Sequence, residues 1–395
     1  MKNLSLIILF VAFCFSLSAQ ETKEKKWELN GYVKDMQTII IGDVKENWIT
    51  YNLIHNRLNF KWYPTDNFNL VVEARNRFIW GELLSMESLV PDSMLMFKYS
   101  DYIDEDNGFF DVSDNILKEK SFILHSALDR FYFDYTKGNF QVRIGRQRIN
   151  WAQTFVWNPN DLFNNYSFFD FDYEEKPGSD AVRLQYYTGV SSQAEIAVKA
   201  NHKDELTIAG FYRFNKWNYD IQFLGGMLNE QDYVMGAGWS GQILKGGFRG
   251  ELSYFQPKEN MADTSGIFVS SIGYDYTFKN SLFLQFEALY NSNGSSDRTF
   301  NLQEFYYQPL SAKNLSLNEL TLFGMATYPI SPLINASFSG MYSPNDKSLY
   351  LGPGGTFSIS DNFDLNVSTQ VFLSEQDAAL GGGGAFVFMR MKWSF

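Results

Sequence analysis

The sequence predicts an all-β chain, a transmembrane antiparallel β-barrel of about 18 strands (16–18). Three observations carry this. From Trp27 to the last residue, apolar side chains recur with a period of two, which is the signature of strands. The connections between these runs alternate between tight turns and longer loops. Aromatic residues make up 17% of the chain, more than a dry core would need but in keeping with two interfacial girdles.

Each strand run presents one apolar face. Residues 57–62 read R-L-N-F-K-W, residues 140–144 read F-Q-V-R-I, and residues 282–290 read L-F-L-Q-F-E-A-L-Y. Tight turns are expected at 64–67, 137–139, 189–192, 215–218, 244–246, 279–280, 329–332 and 361–362. Longer connections interleave with them, the largest at 81–120, 146–180 and 291–318. Short turns at one end and long loops at the other suit a barrel, whereas a soluble sandwich does not sort its loops by parity. No stretch beyond the first segment approaches 18 consecutive apolar residues, which excludes helical spans.

That first segment, residues 1–19, reads as a secretory signal: Lys2, an apolar core from Leu4 to Leu17, then Ser18 and Ala19 at the cleavage point. A lipoprotein signal built on Cys14 is disfavoured, because Cys14 lies inside the apolar core behind Phe13. Cys14 is the only cysteine, so neither a disulfide nor a thiolate metal site is expected. Residues 20–395 then form a single barrel domain with an aromatic-rich loop inserted near 149–179. Only a few residues separate Ala19 from Trp27, so no N-terminal plug is expected, and the lumen should be narrowed only by the barrel's own loops. The net charge of −12, which becomes −13 once Lys2 is removed, speaks against nucleic acid.

Parity assigns faces. With Leu58, Phe60 and Trp62 toward lipid, Arg57, Asn59 and Lys61 face the lumen, and the same phase places Arg75, Arg77, Arg130, Arg143 and Arg183 inside. These seven pore-lining cations are set against Glu73 and Asp134, so one wall is expected to be basic. Such a wall would attract anionic or dipolar solutes through a narrow opening. The plainer reading is that the charges pair across strands and fill space.

Residues 149–179 hold nine aromatics: Trp151, Phe155, Trp157, Phe163, Tyr166, Phe168, Phe169, Phe171 and Tyr173. A loop of this composition will not hang free in water. Asn158 and Pro159 fit the N-cap and first position of a short helix through Asp161, Leu162 and Phe163. Trp157, Asp161, Asp170, Asp172, Glu174 and Glu175 are the candidate constriction residues, since acids folded inward would oppose the arginine wall. The alternative is an apolar cap resting on the barrel rim.

The last strand alternates Ala385, Val387, Met389, Met391, Trp393 and Phe395 with Phe386, Phe388, Arg390, Lys392 and Ser394. It resembles the C-terminal strand of outer-membrane proteins, and the resemblance implies that Trp393 and Phe395 are an assembly signal read by the barrel-assembly machinery. Residues 145–151, G-R-Q-R-I-N-W, and 158–163, N-P-N-D-L-F, resemble porin-like families related to alginate-export and phosphate-selective barrels. That resemblance covers about 40 residues and implies a passive channel without naming its solute.

The expectation is therefore an outer-membrane channel, monomeric or trimeric, passing small hydrophilic and preferably anionic solutes, with membrane lipid as its surroundings and no cofactor. A docking barrel for a surface or secretion complex is the alternative, and an outer-membrane enzyme the third. Enzyme-like motifs are weak. Gly236, Gly238 and Gly241 match G-x-G-x-x-G but a strand follows them rather than a helix. Asp104, Asp106 and Gly108 suggest a calcium loop, yet Phe109 stands where the turn glycine belongs. The acidic connection 81–120 reads as a solvated surface. His55, His125 and His202 have no G-x-S-x-G serine to serve.

Overall fold

The computed structural model describes residues 25–43, 46–87, 99–166, 168–169, 174–261, 263–295, 310–374 and 383–395. The predicted signal and the acids Asp170 and Asp172 lie outside the described residues. The strands are β1 (Trp27–Asp43), β2 (Glu46–Thr65), β3 (Phe68–Trp80), β4 (Ser113–Lys118), β5 (Phe122–Lys137), β6 (Phe140–Gln147), β7 (Ser179–Gly189), β8 (Ser192–Ala200), β9 (Leu206–Lys216) and β10 (Tyr219–Leu228). They continue as β11 (Asp232–Ile243), β12 (Gly246–Pro257), β13 (Ile267–Thr277), β14 (Phe283–Asn291), β15 (Leu320–Ser331), β16 (Ile334–Ser343), β17 (Ser348–Ser360), β18 (Phe363–Leu373) and β19 (Gly383–Ser394). Neighbours in sequence pair antiparallel, β3 pairs β5, and β1 pairs β19 from Tyr32 with Ser394 to Ile41 with Ala385. The result is a closed barrel of 18 strands.

Alternation explains the wall. Outward positions such as Leu29, Trp62, Phe133, Ile144, Leu184 and Phe286 are exposed, an apolar belt on the outside of a wall whose strands pair their backbone with their neighbours. Among the described residues no helix is long and apolar enough to cross a membrane, so strands alone form the wall. Tight turns lie at one end, and a further one, of residues 229–231 between β10 and β11, lies at the other. Trp217 and Asn218 join β9 to β10 with φ of 57° and 61°, and Leu244 and Lys245 join β11 to β12 with φ of 49° and 69°. Both residues of each turn are left-handed, the geometry whose twist matches that of the flanking strands.

At the opposite end, the connection after β3 is structured rather than a plain loop. It contains α1 (Glu82–Glu87), α2 (Tyr99–Asp104) and β4. Strand β4 pairs with Ile123–Ala127 of β5, the edge that β6 leaves open because it pairs only with Phe131–Lys137. The sequence reading missed β4, since S-D-N-I-L-K lacks the apolar face that marks a lipid-facing strand. Ile103 of α2 packs on Leu53, Ile79 and Ile123 inside the barrel.

Candidate functional site: the barrel lumen

The basic wall is built from β2, β3, β5, β6 and β7. Its register places cations directly opposite one another: Arg57 faces Arg75, and Arg143 faces Arg183. Like charges at such positions repel unless acids intervene, and here they do. Arg57, 1% exposed, forms ion pairs with Asp129 and with Glu73 at 2.5 Å, and Arg75 reaches Asp129 at 3.1 Å. Arg143 pairs with Asp134 at 2.5 Å and lies over the Tyr132 ring. Arg183 lies 4.0 Å from Glu195. Arg77 donates to Ile103 O at 3.2 Å and to His125 Nδ1. Lys61 stands opposite Glu28 in the β1–β2 register.

Asp129 corrects the sequence-based charge count. A bulge in β5 shifts the register between Glu73 and Ala74, so that Arg130 pairs with Glu73 and Leu128 with Ala74. The extra residue sends both Asp129 and Arg130 inward, where both are buried. Strict parity, which sends only every second residue inward, counted Arg130 and passed over Asp129.

The loop between β6 and β7 lies inside the barrel. Ile149, Trp151, Val156, Trp157, Leu162 and Phe163 are buried against inward side chains of β7 to β18, among them Phe211, Phe255 and Phe323. Two strand carboxylates take up the loop's backbone donors. Glu251 accepts the N–H groups of Gln153 and Thr154 and the Thr154 hydroxyl on Oε1, and the N–H of Asn160 on Oε2. Glu287 accepts the N–H groups of Val156 and Trp157 and the Ser271 hydroxyl on Oε1, and those of Phe155 and Val156 on Oε2. Trp151 Nε1 donates to Glu195 at 2.8 Å. The expected helix at Asn158 is absent; Asn158 instead opens a turn, with Asp161 N donating to Asn158 O at 3.1 Å. Glu251 draws Asn160 N and Ser253 Oγ donates to Pro159 O, and these competing contacts satisfy the backbone without helical bonds. Asp161 is fully buried, and burial pushes its carboxyl up to about 6 despite the N–H of Asn164.

The last part of the loop crosses to the far sector. Glu175 accepts the Tyr32 hydroxyl at 2.8 Å and lies 3.7 Å from Arg57 Nε, while Arg130 Nη2 donates to the carbonyls of Glu175 and Lys176. Glu174 pairs with Arg390 at 2.9 Å and Lys392 at 2.8 Å. Burial alone would raise its carboxyl, but these two cations hold it below the usual range. The pairs differ in which partner meets water. In Arg143–Asp134 the cation is 20% exposed and the acid 3%; in Arg75–Asp129 the values are 13% and 3%; in Arg57–Glu175 they are 1% and 20%. Arg75 and Arg143 are thus more exposed than the acids behind them, whereas Glu73 of β3, at 20%, and Glu175 are more exposed than Arg57.

Comparison with known proteins fits this architecture. No family model matches the sequence, and no curated protein matches it. Among solved structures, the chain is similar to OccAB4 of Acinetobacter baumannii (TM-score 0.58, 10% identity, covering 95% of this chain and 100% of that one). It is also similar to OccAB2 of the same organism (0.56, 8%, 95% and 100%). OccD3 of Pseudomonas aeruginosa likewise matches (0.54, 7%, 93% and 91%). The chain has the fold of outer-membrane porin structures.

Sequence reasoning missed Arg146, although it lies in the G-R-Q-R-I-N-W run. It is buried, bonds Asp106 at 2.5 Å and Asp180 at 2.7 Å, and donates to Phe110 O at 2.6 Å. Arg146 thus clamps the connection that carries β4 onto β7. Asp106 of the calcium-like motif is a partner in this clamp, and among the described residues no group of three or more acidic, histidine or cysteine side chains could hold a metal. Gly236, Gly238 and Gly241 lie within β11. His125 accepts from Arg77, and its Nε2 lies 2.8 Å from Ser113 Oγ. With Nδ1 occupied by a guanidinium donor, Nε2 must carry the proton, so this ring has no free lone pair with which to act as a base toward Ser113.

Proposed function

We propose that this barrel is an outer-membrane channel for the passive diffusion of small hydrophilic solutes, with a preference for anions. The observation that carries the reading is that Arg75 and Arg143 are more exposed than the acids they pair with. Although Arg75 and Arg143 are formally neutralised, their acids lie behind them, and a solute in the lumen meets the guanidinium first. A confined, low-dielectric opening strengthens that local field.

The test is the reversal potential of the purified protein in a planar bilayer under a salt gradient. The channel should favour the anion, most clearly at about 0.1 M salt or below, where the Debye length is ~10 Å or more. Replacing Arg143 and Arg183 with glutamine should move the reversal potential toward the cation while the barrel still folds. An unmodified protein that conducts without preferring the anion would withdraw the selectivity. A folded protein that never conducts would withdraw the channel.

A further inference from the structure

Glu251 and Glu287 share one arrangement. Each projects from the wall into the lumen, is 0% and 3% exposed respectively, and has both carboxylate oxygens occupied by donors alone. Five consecutive backbone N–H groups of the loop, Gln153 to Trp157, end on these two side chains, as does that of Asn160. No neutral acid can satisfy this pattern. A protonated carboxyl adds an O–H donor where only donors surround it, and a carboxamide replaces one acceptor by an NH2 that points at an N–H or O–H. In a site closed to water, an unmatched donor pair costs far more than the bond it replaces.

We propose that Glu251 and Glu287 are the positioning residues of the constriction loop, and that discharging them releases residues 153–160 from the wall, so that acid widens the channel. This rests on the channel reading above. The charged groups around the pins do not replace them. Arg249 of β12 packs on the Phe155 ring and pairs with Asp275 of β13. Arg213 of β9 is held by Gln222 of β10. Glu195 of β8 takes the Trp151 indole and faces Arg183 of β7. Within the loop, Arg148 stacks on Tyr166, Asp161 accepts the Asn164 N–H, and Lys199 of β8 donates to Phe163 O. Asp161 adds a second acid-sensitive contact in the same segment, because its carboxyl takes up a proton at about 6.

The experiment compares the whole protein with Glu251→Gln, Glu287→Gln and the double variant, each verified as a folded, heat-modifiable barrel. Two quantities are read between neutral and acid pH: single-channel conductance, and hydrogen exchange of the amides of residues 153–158 and 160. In the unmodified protein conductance should rise reversibly as the pH falls, and so should exchange once it is expressed relative to the intrinsic, base-catalysed rate at each pH. The double variant should show the acid values at neutral pH, with amide exchange faster by about ten-fold or more, and should respond little to further acid. Conductance and exchange that match the unmodified protein in a folded double variant would overturn the proposal. So would an acid response that persists after residues 160–175 are replaced by a short Gly/Ser linker and the pins are neutralised. If the unmodified protein is silent at every pH, the channel reading fails by itself, while the exchange comparison still decides whether the two carboxylates hold the loop.

Discussion

A guanidinium as buried as Arg57 is stable only because its donors are matched. Nη1 meets Asp129, Nη2 meets Glu73 and Nε meets Asn59 at 3.0 Å. Asp129 also serves Arg75, so one carboxylate holds two cations that face each other across β2 and β3. Removing one partner of a buried pair typically costs about 3–5 kcal/mol, because the other charge is left uncompensated. Arg57 keeps Glu73 and Glu175, which places Asp129→Asn near the lower figure. Its urea unfolding midpoint, followed by the gel shift of folded and unfolded barrel, should drop accordingly. A midpoint equal to that of the unmodified protein would show that Asp129 is not the hub of this cluster. The shared face of Arg57, Asn59 and Lys61 was legible from alternation, because residues 57–62 follow it without interruption. Asp129 was not, since a bulge is a backbone event with no fixed sequence mark, and one inserted residue reverses the meaning of every later position on that strand.

At the scale of elements, the loop between β6 and β7 and the closing strand are both held by backbone bonds. Nine aromatics made it evident that residues 149–179 would not stay in water. Their anchors were invisible, because Glu251 and Glu287 look like any other inward acids in their strands. The turn at Asn158 differs from the expected helix for the same reason: a capping signature describes what a segment does alone, and here the partners come from β12, some ninety residues away. The closing strand was legible because its alternation is simple. Phe395 exchanges two bonds with Gly31, N to O and O to N, each 3.0 Å, and its ring lies 5.2 Å from that of Trp393. Deleting Phe395 removes two bonds of a long ladder and one ring, worth about 1.5–3 kcal/mol when fully buried and less at 43% exposure. The finished barrel should survive, and the expected effect is slower appearance of the heat-modifiable form with export unchanged. Wild-type assembly kinetics in pulse-chase would count against a role of Phe395 in assembly.

For the whole molecule, the strand parity of loops and turns was enough to read an 18-strand closure, and the 69 aromatic residues are shared between its outer belt and the packing of its interior. What parity could not supply was the interior. The lumen is divided by a loop packed against β7 to β18, and both cations, such as Arg75 and Arg143, and acids, such as Glu73, Glu174 and Glu175, are exposed in it. A channel narrowed in this way should pass ions through a passage set by that loop rather than by the barrel's diameter. The most direct test is single-channel recording of the purified, folded protein beside a variant in which residues 160–175 are replaced by a short Gly/Ser linker. Discrete conductance steps are predicted for the unmodified barrel and clearly larger ones for the variant. The absence of steps in the unmodified barrel, or the same step size in both proteins, would contradict the account.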